Sequence, residues 1–279
     1  MSYKSITVCL DGSAASARAL TFAIDLAVRN NAHLTGLHLT YLPIIISEPY
    51  AMWGPVMTEW EESAQAKQRQ AKEQFMAEAS KNGINADFAG YRSDDLPEVI
   101  AHARASDLTV MAQQETAGSA LGSNDAITAH FIESMVLNLG RPVLLLPQTG
   151  YLPQKFDTII VAWDGGREAT RAVADALPIL KGARVVKVLS VSEEIDDEHD
   201  LPDVDIAAYL AKHDIKVEIE RKESVHRAPG EWLLSRASEG KADLMVMGAY
   251  GHNRFAELVL GGVTRSVMRH MQLPVLMSH

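Results

Sequence analysis

A single cysteine, Cys9, stands in the 279 residues. It excludes an intramolecular disulfide and a thiolate zinc cluster, and so thiol-poor a chain is ordinary in a reducing compartment, which makes the cytoplasm the expected address. Long apolar runs are missing as well. None approaches the roughly 18 to 20 residues that span a bilayer, and the opening MSYKSITVCLDGS lacks the apolar centre of a signal peptide. A soluble protein with no membrane partner is the expectation. Positive charge is in deficit, with 26 Lys and Arg against 36 Asp and Glu for a net charge of −10, which opposes binding to nucleic acid. The ten histidines fall into no HExxH or other metal-ligand spacing, and neither GxxxxGK[ST] nor GxSxG occurs. No metal site and no catalytic group are expected.

What is present is a chain that repeats itself. Ser5 to Leu20 reads SITVCLDGSAASARAL, and Thr158 to Val173 reads TIIVAWDGGREATRAV: an apolar strand, then Asp-Gly, then an alanine-rich helical stretch. A second match lies near the end of each half, where DLTVMAQ leads to RPVLLLP and DLMVMGA leads to LPVLMSH. A repeat at this spacing marks two copies of one domain. The Gly and Pro of TGYLPQ supply a linker, so the domains are read as 1–150 and 151–279. Within each copy, β-branched runs alternate with helical stretches, the pattern of βαβ units around a parallel sheet covered on both faces.

The second copy places strands near 157–163, 184–191, 216–222, 243–248 and 274–278, and the first near 5–10, 33–40, 85–91, 107–112 and 142–146. Each copy is thus an α/β doubly wound, Rossmann-like unit of five parallel strands, whose ligands belong at the carboxyl ends of the strands. The closing Pro-Val-Leu strands, Arg141 to Pro147 and Leu273 to Ser278, would be apolar edges if left open. Their mutual cover predicts an internal pseudo-dimer. Association of two such chains into a homodimer is compatible with this layout.

The carboxyl ends of the second copy carry a glycine pattern. Strand DLMVM is followed by Gly248 and Gly251, then by Gly261, Gly262, Val263 and Thr264 at the start of the last helix. Glycines let backbone N–H groups approach an anion closely, and a helix start adds unpaired donors, so a phosphate chain fits there. A plain turn with a helix cap is the alternative. Asp164, ending the first strand, can accept charge-assisted hydrogen bonds from ribose hydroxyls or an exocyclic amine, or simply make an Asp-Gly turn. Thr264 can donate to phosphate or cap its helix.

The pattern Gly-x2-Gly-x9-Gly after the fourth strand, with Asp ending the first strand and Arg-His before a final Pro-Val-Leu strand, resembles the universal stress protein family in its tandem form. The resemblance covers both halves. It implies an adenine-nucleotide alpha hydrolase-like fold and, in the ATP-binding branch, adenosine held against the first-strand Asp and the end of the second strand, with phosphates in the glycine loop. Carried over, these are Asp164 and Val191 for adenosine, and Gly248, Gly251, Gly261, Gly262, Val263 and Thr264 for phosphates. ATP, with Mg as its companion cation, is the implied ligand. Gly262 stands where the family has Ser or Thr, which removes a hydroxyl but keeps the backbone N–H.

The first copy departs from the pattern, with Ala112 and Glu115 in place of Gly248 and Gly251, and Ala129 and His130 in place of Gly261 and Gly262. It is read as a degenerate partner domain. The expected function is a stress-response protein whose second copy binds ATP as a signal, with at most slow hydrolysis. The alternatives are a nucleotide-independent interaction module, recruiting a partner through the apolar Tyr41 to Trp60 segment, and an adenylyl-transfer enzyme, whose usual histidine motif both Asp-Gly loops lack.

Overall fold

The computed structural model describes residues 2–40, 54–92, 95–113, 125–150, 152–192, 202–223, 229–251 and 262–279. The chain forms two compact units, Tyr3–Phe131 and Ile132–His279. In the first, β1 (Ser5–Leu10), α1 (Ala14–Asn30), β2 (His33–Thr40), α2 (Gly54–Lys81), β3 (Ala86–Arg92), α3 (Leu96–Ala103) and β4 (Leu108–Ala112) follow in order, and α4 (Asp125–Asn138) carries the chain into the second. The strands run parallel in the order β3-β2-β1-β4. Every residue of β4 and five of the six in β1 are buried, as a sheet covered on both faces requires.

The second unit holds β5 (Val143–Leu146), β6 (Thr158–Trp163), α5 (Arg167–Leu180), β7 (Val185–Ser192), α6 (Pro202–Ala211), β8 (Val217–Glu223), α7 (Pro229–Glu239), β9 (Leu244–Gly248), α8 (Gly262–His270) and β10 (Val275–Ser278). Its order is β5-β10-β9-β6-β7-β8. All its pairs are parallel except β5 with β10, which run antiparallel with Leu145 opposite Val275 and Val143 opposite Met277. The two apolar closing strands therefore cover one another, and no described residue of either strand is left above 2% exposed. Residues 41–53 of the apolar Tyr41 to Trp60 segment lie outside the described residues.

The repeated Asp-Leu of the two fourth strands has a shared structural job. Asp107 Oδ2 accepts from the backbone N–H groups of Lys4 and Ser5 at 2.7 and 3.1 Å. Asp243 Oδ2 does the same for Asp157 and Thr158 at 2.9 and 2.8 Å. In each copy one carboxylate satisfies the two donors at the start of the first strand, at charge-assisted strength, and so fixes the register of first and fourth strands. Helix α1 shows equally local causes: the Ser13 side chain accepts from Ser16 N–H at 3.1 Å, and Asn31, at φ 48°, ends the helix in the left-handed region.

One buried group makes folding depend on pH. His38, in β2, is 5% exposed, and its Nδ1 has no hydrogen-bond partner among the described residues. Burial lowers its pKa from the usual 6.5, against the opposing pull of Asp11. Because the folded state holds His38 neutral and the unfolded chain does not, protons favour unfolding: this stability is full above the unfolded pKa and is lost as pH falls through it. Melting between pH 7.5 and 5.5 should therefore fall more steeply for the parent than for His38→Leu. Parallel slopes for the two would contradict the assignment.

Candidate functional site

At the carboxyl end of β6 the chain turns sharply through Asp164, Gly165 and Gly166. Gly165 sits at φ 71°, and Asp164 Oδ1 accepts from the Gly166 N–H at 2.8 Å. The first copy builds the same turn, with Gly12 at φ 80° and Asp11 Oδ1 accepting from the Ser13 N–H at 2.9 Å. One oxygen of each aspartate is thus committed to the turn. The other oxygen of Asp164, Oδ2, lies toward Gly251, 3.9 Å from where a Cβ on that glycine would stand. Asp164 is exposed.

Gly248 closes β9 and needs its missing side chain for packing. A Cβ there would fall 2.5 Å from the Ala169 nitrogen and 2.6 Å from the Glu168 carbonyl carbon. The first turn of α5 can therefore lie directly against the end of β9. Beyond it, Tyr250 adopts φ 54°, and its N–H donates to Thr264 Oγ1 at 3.0 Å. Thr264 is 3% exposed, so its hydroxyl oxygen fastens the glycine turn to the start of α8 from inside. Gly262 and Val263 open that helix and are half-buried. Val191 stands in β7 opposite Lys222, while Gly261 lies outside the described residues.

Sequence reasoning missed Glu168. It occupies the first turn of α5 and is 7% exposed, with Oε2 only 3.0 Å from the position of a Cβ on Gly251. Its Oε1 accepts from Arg167 at 2.9 and 3.1 Å. Burial alone would push its pKa up, but its own backbone N–H, Arg167 and His279 outweigh that and hold it below the usual carboxylate range. The carboxylate is therefore a fixed negative charge beside the glycine turn. The signal available in sequence was a difference between copies, since Ala15 stands at the matching position of the first.

Among the described basic residues near the loop, Arg265 is already paired. Arg265 donates to both oxygens of Glu133, at 2.9 and 3.3 Å. Neither it nor Arg167 brings an uncommitted charge to Gly251. In the first copy the corresponding carboxyl ends enclose a small pocket lined by Cys9, Asp11, Ser16, Leu39, Met111 and Phe131, among others. Burial and Asp11 push the Cys9 thiol up to about 12, so it is an inert wall of that pocket. Glu115 lies outside the described residues. Among the described residues, no group of three or more His, Cys, Asp or Glu side chains is arranged to hold a metal.

Comparison with known proteins bears on this geometry. The model of the universal stress protein family matches residues 2–130 and 155–279. The universal stress protein Slr1230 of Synechocystis is 26% identical over 152 residues, a match spanning 52% of this chain and 49% of that one. A universal stress protein structure from Archaeoglobus fulgidus superposes with a TM-score of 0.74 at 19% identity, covering 98% of this chain and 95% of its own. The structure of a universal stress protein from Pseudomonas aeruginosa covers 99% of this chain and 93% of its own, with a TM-score of 0.57 at 14% identity. These likenesses support the Rossmann-like architecture. The two matched segments go further: the chain belongs to the universal stress protein family, as a tandem member with two copies of the domain.

Proposed function

We propose that the second copy binds an adenine nucleotide, with ATP as the ligand, and that occupancy acts as a signal in the cytoplasm rather than feeding a fast reaction. The observation that carries this reading is the meeting of two strand ends. Asp164 Oδ2 and Gly251 stand side by side where β6 and β9 terminate, the place where a doubly wound sheet takes its ligands. Asp164 would accept from the nucleoside, with Val191 beside the base. Backbone N–H groups of the glycine turn and of Gly261, Gly262 and Val263 would meet the phosphates, and Thr264 would hold that cradle in shape. The nucleoside end fits the residues present. The phosphate end would carry the Glu168 carboxylate, so Mg would supply positive charge beside Arg167 and Arg265, which are already paired.

Asp164→Ala tests the nucleoside contact. It should weaken ATP, ADP and adenosine by similar factors, about tenfold each, the loss of a charge-assisted hydrogen bond of about 1.5 kcal/mol. Titration of the three ligands against parent and variant reads this directly. A variant that binds all three as the parent does would remove Asp164 from the site.

A further inference from the structure

We infer that Glu168 sets the charge preference of the adenine site, discriminating against the phosphate chain at Gly251. The inference rests on the reading of that site as an adenine-nucleotide pocket and adds which ligands it ranks first. A phosphate oxygen brought to the backbone of Gly251 would stand next to Glu168 Oε2, which lies 3.0 Å from the Cβ position of that glycine. The carboxylate has little room to withdraw. Its residue is 7% exposed, and Arg167 grips the other oxygen at 2.9 Å. Arg167 offsets this charge only in part, because it bonds the far oxygen, Oε1, and its own side chain is 78% exposed to screening water. The Glu168 carboxylate, turned inward, is screened least.

Two like charges in one pocket disfavour each other. Adenosine carries no phosphate and is indifferent to this charge, whereas each phosphate added to the ligand adds repulsion. Glu168 also lies in the first turn of α5, where a helix start favours a negative group. Without a cation, the site should prefer adenine ligands of low charge over ATP. The first copy carries Ala15 at the equivalent position, so this particular carboxylate belongs to the second copy.

Glu168→Gln keeps the shape of the side chain and an acceptor for Arg167 while removing the charge. With divalent cations chelated, it should tighten ATP by about tenfold or more and ADP by less, and leave adenosine within about twofold. Glu168→Ala, which removes the side chain altogether, should shift the three ligands in the same order, so the result does not hang on one variant folding. If both variants bind ATP within twofold of the parent while adenosine still binds, the inference is wrong and the adenine site stands. If adenosine and ATP bind neither parent nor variants, the adenine site itself fails, and the inference with it.

Discussion

Gly251→Glu is expected to weaken ATP by about 10²-fold while adenosine stays within about threefold of the parent, a loss of about 2.7 kcal/mol confined to the phosphate end. Gly251 is not among the positive-φ glycines of the described residues, so its backbone tolerates a side chain. A Cβ there meets Glu168 Oε2 at 3.0 Å, the far end of a side chain that can give by a few tenths of an ångström. The variant should therefore fold, with a new carboxylate between Glu168 and the turn. Phosphate then loses its approach to the backbone and meets additional like charge. Asp164 Oδ2 stands 3.9 Å from the new Cβ, an ordinary van der Waals contact, so the aspartate keeps its place at the nucleoside end. Titrating both ligands after a melt has confirmed folding decides the matter: ATP affinity within threefold of the parent would show that the turn holds no phosphate.

Much of this was legible in the sequence because it is written locally. The repeat of strand, Asp-Gly and alanine-rich helix is a short-range pattern, and all ten expected strands appear in the structure. The pairing of β6 with β9 brings their ends together and sets Asp164 Oδ2 near Gly251. What escaped depends on contacts distant in sequence. Arg265 reads as loose positive charge near the loop, yet its partner Glu133 lies 132 residues away. Glu168 reads as an ordinary acidic residue in the first turn of a helix, with an exposed face to follow. It is buried because the close approach at Gly248 lays α5 against β9, a tertiary consequence of a missing Cβ. The antiparallel sense of β5 and β10 was not readable either, since an apolar edge calls for cover without specifying direction.

The difference between copies leads to the other large effect: one adenine ligand per chain, with the first copy contributing nothing measurable. Asp11 reproduces the turn of Asp164, so the aspartate does not separate the copies. The glycines do. Ala112 ends β4 where Gly248 ends β9, and Glu115 replaces Gly251 in sequence. A methyl group at the first position changes how closely the neighbouring helix can lie, and a carboxylate at the second repels phosphate. The pocket that remains has Leu39, Met111 and Phe131 in its walls, with Cys9 held as a neutral thiol.

Calorimetric titration of the full chain with ATP and Mg tests the central claim most directly, because it counts sites and assigns them at once when run beside Asp164→Ala. The parent should bind one ATP per chain, and the variant should bind it about tenfold more weakly at the same single site. Two equivalent sites, or ATP binding that Asp164→Ala leaves unchanged, would contradict an adenine site built by the second copy.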